Sequence, residues 1–240
     1  MFFYDPMYMV IMLIGSVLVF LPQLWVKNTV KKHHETLTAQ GMRGCDIANR
    51  ILADNGLHHV SVELSQGELS DHYDPSVKAV RLSPEIYQGR SVSSAAIAAH
   101  ECGHAIQHAK GYYPVVVRSA MVPAVNLGSN LGPLLLMAAL FLGASSQVMP
   151  DWAWLLAWAG VALYGMAVAF HFVTLPVEFD ASFRAMKILK TSHYLNKNEL
   201  SGAQSVLTAA ACTYMASALY ALMQLLYYVM RIMGSSRSND

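Results

Sequence analysis

His100, Glu101 and His104 stand in the order His-Glu-x-x-His within "SVSSAAIAAHECGHAIQHAKG", residues 91–111. On a helix, two histidines four positions apart lie one above the other, about 6 Å apart along the axis. Their ring nitrogens can then converge on one ion at about 2.0–2.1 Å, the length of a zinc–imidazole bond. A glutamate directly after the first histidine sits at the edge of the same face. There it can take a proton from a water that the metal acidifies. These residue types at this spacing point to metal-assisted hydrolysis. Zinc would be the cofactor, His100 and His104 ligands, and Glu101 the base.

The element that must carry them is a helix running to about Lys110, capped by Ser91 or Ser93. At 100° per residue, Ser93, His100, Glu101, His104, Gln107 and His108 share one face, and alanines dominate the other. Cys102 falls in the centre of the apolar face and reads as a packed thiol rather than a ligand. His108 lies two turns, about 12 Å, beyond His100, so a straight helix cannot bring all three histidines to one ion. It remains a candidate pocket group. Gln107 and Lys110 occupy the places of the glycine and third histidine of a metzincin, which excludes that class.

A catalytic zinc site takes three protein ligands and keeps one position open. A glutamate from a separate helix is the common third ligand, and Glu35, Glu63, Glu68, Glu85, Glu178 and Glu199 are the candidates. Glu178, in "TLPVEFDASFRAMKIL", is the best placed. Thr174 is expected to cap a new helix with Pro176 in its first turn. On that helix Glu178 shares a face with Ala181, Ser182, Ala185 and Leu189, small enough for close approach to the motif helix. Asp180 points nearly opposite and pairs with Arg184 at i+4. Glu199 reads as a helix-start carboxylate.

Two blocks, "LSDHYDPSVKAVRLSPEIYQGRSVSSAAIAAHECGHAIQHAKGYYPVVVRS" and "LPVEFDASFRA", resemble the bacterial membrane neutral zinc metallopeptidases of the YugP type. The resemblance extends over nearly the whole chain. It implies a zinc-dependent membrane peptidase with His100 and His104 as ligands and Glu101 as acid/base. More distantly, the layout is similar to the membrane gluzincins of the CAAX-prenyl and heat-shock protease group. Those take their third-ligand glutamate from an E-x-x-x-D pattern. Glu178 matches the glutamate, but Ser182 stands in place of the aspartate that would orient a ligand histidine. Ser182 is thus a weaker candidate for that role, with His171 and His108 as further pocket candidates.

The surrounding chain is that of a membrane protein. Apolar residues make up 55% of it and charged residues 13%, with a net charge of +1 that gives no reason to expect a nucleic-acid partner. Three cysteines without paired spacing imply no disulfide framework. Uncharged runs at 6–26, 119–142, 152–173 and 206–230 are each long enough to cross a hydrocarbon core of about 30 Å. The second holds Pro123 and Pro133, so it either spans fully or is broken. The first lacks a basic N-terminal flank and a cleavage site, and reads as a retained anchor.

Lys27, Lys31 and Lys32 follow the first run, which by the positive-inside rule puts the N-terminus outside and residues 27–118 in the cytoplasm. The loop at 143–151 has no Lys or Arg, as an external loop should. The return segment 174–205 carries Arg184, Lys187, Lys190 and Lys197. Residues 231–240 are expected to form a disordered tail.

The expected fold is therefore mainly α with a small β element. It is a polytopic protein of the bacterial plasma membrane, with about four transmembrane helices and a zincin-like (gluzincin) cytoplasmic domain. A helix should end at Asn55-Gly56, "HHVSVEL" should form a strand, and "LSDHYDPSVKAVRLS" a hairpin turning at Asp74-Pro75. "VKAVRL" is either an internal strand or the edge to which a substrate strand adds. In "SDHYD", Asp71, His72, Tyr73 and Asp74 read as polar turn groups ahead of an oxyanion or second metal site. His193 and Tyr194 are candidate hydrogen-bond donors to a transition state, and His33 and His34 headgroup contacts.

Substrates would be peptides or membrane proteins cut near the bilayer. An intramembrane protease is disfavoured by the amphipathic motif helix. A non-catalytic zinc-stabilised scaffold is disfavoured by Glu101, since a structural site needs no base. The sequence carries no signal for an oligomeric state.

Overall fold

The computed structural model describes residues 5–143 and 150–236. Seven helices and three short strands follow in the order α1 (Pro6–His34), α2 (Gly44–Asp54), β1 (Ser61–Leu64), β2 (His72–Asp74), β3 (Ala79–Leu82), α3 (Pro84–Gln88), α4 (Val92–Ala109), α5 (Tyr113–Gly143), α6 (Asp151–Thr191) and α7 (Lys197–Ser236). Among the described residues, α1, α5, α6 and α7 are the four helices long and apolar enough to cross a membrane. Residues 144–149, most of the expected external loop, and 237–240, the end of the expected tail, lie outside the described residues. Residues 231–236 belong to α7, so the tail does not begin at 231.

Two compact units emerge. Among the described residues, one comprises those up to 21, those of 117–174 and those from 214 on; the other comprises 22–116 and 175–213. The four long helices thus contribute a part to each.

In the first unit, glycines let helix backbones meet. A Cβ on Gly128 would lie 2.3 Å from the Leu163 carbonyl oxygen, and one on Gly132 2.9 Å from the Tyr164 nitrogen. Tyr164 donates to Gln224, whose amide donates to Tyr220, so these polar groups satisfy one another where water is scarce. Neither Pro123 nor Pro133 breaks α5.

The second unit is built around α4. Ser91 caps it, its Oγ accepting from the Ser94 amide. Its start is pinned by Val92 N–H to the Thr36 carbonyl and by Ser93 Oγ–H to the Val30 carbonyl. The apolar face behaves as patterned. Ala95, Ala98, Ala99, Cys102, Ala105 and Ile106 are buried in one core with Ile47, Ile51 and Leu52 of α2 and Val80 and Leu82 of β3. Burial of the Cys102 thiol raises its pKa, which suits a core group and not a thiolate ligand. Part of the polar face is covered as well: Ser93, Glu101 and Gln107 are buried, while His108 is exposed.

The sheet runs β1-β3-β2, with β1 parallel and β2 antiparallel to β3. The hairpin and its turn are as expected, but β3 is the central strand. "VKAVRL" therefore cannot be an open edge. Within this sheet, β1 and β2 are the outer strands.

A further difference concerns Thr174 and Pro176. No new helix starts there, because α6 continues through Pro176 to Thr191. The Thr174 hydroxyl donates back to the Phe170 carbonyl instead of capping.

Candidate active site

Three side chains from two distant segments of the second unit converge. Oε2 of Glu178, on α6, lies 3.4 Å from Nε2 of His100 and 3.4 Å from Nε2 of His104. The ligand atoms of the three residues all fall within 4.8 Å of one another. A tetrahedral ion with bonds of about 2.0–2.1 Å holds its ligand atoms about 3.3–3.4 Å apart. The two nitrogen–oxygen separations meet that requirement, and two imidazoles with one carboxylate are a donor set that zinc accepts. The residues present therefore fit the metal.

The approach that brings Glu178 in is made by small residues. A Cβ on Gly103 would lie 2.7 Å from the Ala181 carbonyl oxygen and 3.2 Å from its Cα. Only glycine leaves α4 and α6 at this separation. The α6 face of Glu178, Ala181, Ala185 and Leu189 is buried throughout.

Charge in the cluster is balanced against burial. Burial by itself would raise the carboxyl of Glu178, which lies beyond the apolar run 152–173, but hydrogen bonds from both imidazoles outweigh it and hold the pKa below the usual range. Burial opposes protonation of His104, yet the Glu178 contact and the charge of Glu101 prevail and raise its pKa. Protons and a metal ion thus compete for the same nitrogens.

Glu101 follows on the same helix, 8% exposed. Its charge also reaches Asp71, whose pKa is raised chiefly by burial and whose carboxylate is held by the amide and hydroxyl of Ser83.

The remaining candidates separate. Ser182 lies 3.2 Å from Nδ1 of His100, the ring nitrogen away from Glu178. Its hydroxyl thus contacts a histidine of the cluster. Nδ1 of His104 lies 3.0 Å from Oε1 of Gln107, and the Gln107 amide donates to the Val177 carbonyl at 2.8 Å and to Asp180 at 2.7 Å. Asp180 does pair with Arg184 as expected. It also reaches the cluster through Gln107, which the helical wheel alone could not reveal. The available signal was Gln107 itself, already on the histidine face.

His108 is exposed and meets the Tyr73 hydroxyl at 2.9 Å, so it belongs to a pair with β2. His171 belongs to the other unit. The rest of "SDHYD" is spent on the hairpin: His72 bonds the Ser70 carbonyl, and Asp74 bonds Arg81 and the Ser76 amide. Tyr194 is a core residue whose hydroxyl donates to Asp54, and the His193 carbonyl accepts from Gln40. Glu199 closes the start of α7, accepting from the Asn196 and Ala39 amides.

Residues 8–233 match the family model described as "Putative neutral zinc metallopeptidase". The chain belongs to this family. It is also 40% identical over 220 residues to the "Putative membrane protease YugP" of Bacillus subtilis (strain 168), covering 92% of this chain and 94% of that protein. No solved structure matches the chain. Zinc is thus the metal that the family description names, and His100, His104 and Glu178 are the residues whose geometry suits it. The four apolar helices agree with the membrane setting in the relative's name.

Proposed function

We propose that the protein is a zinc-dependent membrane endopeptidase of gluzincin-like layout, with His100, His104 and Glu178 as the zinc ligands. The observation that carries this reading is the single carboxylate oxygen of Glu178 at 3.4 Å from both Nε2 atoms. Zinc, when held there, supplies Lewis acidity toward a carbonyl oxygen and acidifies water.

The chain's own residues do the rest. Glu101 takes the proton of the attacking water and then delivers it to the leaving amine. Its burial limits competition from bulk water. Ser182 and Gln107 hold the outer ring nitrogens of the two histidines.

In this reading the unit that carries the site faces the cytoplasm with the N-terminus outside, an orientation supported by Lys27, Lys31 and Lys32 following the first apolar run. The substrates are then membrane proteins cut in their juxtamembrane segments. The β2 edge, joined to α4 through Tyr73 and His108, is the strand to which an extended substrate adds.

A direct test reconstitutes the purified protein with membrane proteins tagged on cytoplasmic juxtamembrane segments. Cleavage should stop when a chelator strips the metal and return when zinc is restored. Cleavage that persists in fully metal-free protein would contradict the reading.

A further inference from the structure

The two histidines of the cluster are supported differently. His100 meets a hydroxyl, which can donate or accept and so imposes no direction on the ring. His104 meets a side-chain amide whose orientation is dictated from behind. The Gln107 nitrogen lies between a backbone carbonyl and a carboxylate, both of which only accept. The NH2 group must therefore point at them, and Oε1 must face His104. That oxygen only accepts, so the ring donates from Nδ1. When a metal takes the place of the Nε2 proton, the lone pair of Nε2 is then left on the side of Glu178.

Nothing nearby relaxes this constraint. Gln107 is fully buried, so no bulk water competes for the amide. Asp180 is itself held by Arg184, whose guanidinium lies 5.7 Å from the centre of the Tyr112 ring. The Tyr112 amide in turn donates to the Gln107 carbonyl. The contacts close a loop: side chain of Gln107, Asp180, Arg184, Tyr112, and back to the main chain of Gln107.

We propose that Gln107 and Asp180 are positioning residues for His104: Asp180 fixes the Gln107 amide, and that amide turns the imidazole so that Nε2 presents its lone pair to the metal. This rests on the reading of His100, His104 and Glu178 as zinc ligands. Residues that orient a ligand histidine typically contribute roughly 10–100-fold to metal affinity.

The test measures zinc affinity of the purified full-length protein by chelator competition, which needs no substrate. Gln107→Met keeps the side-chain volume and removes the amide, and should weaken binding roughly 10–100-fold. Asp180→Asn leaves a neutral acceptor for the amide and should cost less. The pair Gln107→Glu with Asp180→Asn moves the carboxylate next to His104, with the side-chain amide introduced at position 180 donating to it, and should recover part of the loss, since the Val177 carbonyl is then left without its donor.

If Gln107 only filled space, the order would reverse. Methionine would be tolerated and a buried glutamate would be the worst of the set. Wild type binding zinc tightly, with Gln107→Met unchanged, would overturn the positioning role alone. Wild type binding no better than His100→Ala would remove the metal reading itself. Should the variants fail to fold, zinc-loaded wild type still decides. The His104 Nδ1–H should appear in proton NMR as a slowly exchanging signal, and rapid exchange there would overturn the proposal.

Discussion

Glu101→Gln should keep its zinc and cleave peptide about 10²–10⁴-fold more slowly, the usual span for removing a general acid–base group. The substitution preserves shape and one hydrogen-bonding oxygen, so the buried setting of residue 101 is disturbed little. It removes the one property the mechanism needs, a carboxylate that takes and returns a proton. Asp71 feels the charge of Glu101, but its oxygens are bound by Ser83. Zinc stoichiometry should not change, because the three atoms that converge come from His100, His104 and Glu178. Equal cleavage rates in the two proteins would sink the base role. Loss of zinc from Glu101→Gln would instead put Glu101 among the ligands.

Glu178→Ala should abolish cleavage by a different route, through loss of the metal. Residues that merely orient ligands already contribute roughly 10–100-fold to affinity, so removing a ligand should weaken zinc binding by more than about 100-fold. The alternative donors are badly placed. Asp180 is engaged by Arg184 and Gln107, and Ser182 lies against Nδ1 of His100, on the side of the ring away from Glu178. Metal content and chelator competition read this directly. Full zinc retention in Glu178→Ala would take the residue out of the ligand set, whatever happened to activity.

The convergence of His100, His104 and Glu178 at the candidate site was largely legible in the sequence because its parts follow local rules. The helical period places His100 and His104 on one face, and a run of small residues around Glu178 marks a surface built for close approach. The contacts that support the candidate ligands were harder to see. Asp180 and Arg184 form an i,i+4 pair, which pattern reading finds. The bond from Asp180 to Gln107 joins residues on two different helices, and no local period encodes it.

The fold shows the same division. The hairpin turn at Asp74-Pro75 is local chemistry. The strand order is not, since β1 comes in parallel to β3 across the hairpin. A signal existed all the same. Ala79, Val80 and Leu82 are all buried, and a nearly continuous apolar strand is the mark of a central position rather than an edge. Pro176 misled because proline usually ends or begins a helix in water. In a long helix such as α6, packing can keep the helix continuous through it.

The central claim is that two histidines of one helix and a glutamate more than seventy residues later hold one zinc ion. X-ray absorption at the zinc edge of the purified full-length protein tests it most directly. The expected result is one zinc per chain, ringed by nitrogen and oxygen at about 2.0–2.2 Å, with the outer-shell scattering of two imidazoles. A sulfur neighbour at about 2.3 Å, or a protein that binds no zinc, would contradict it.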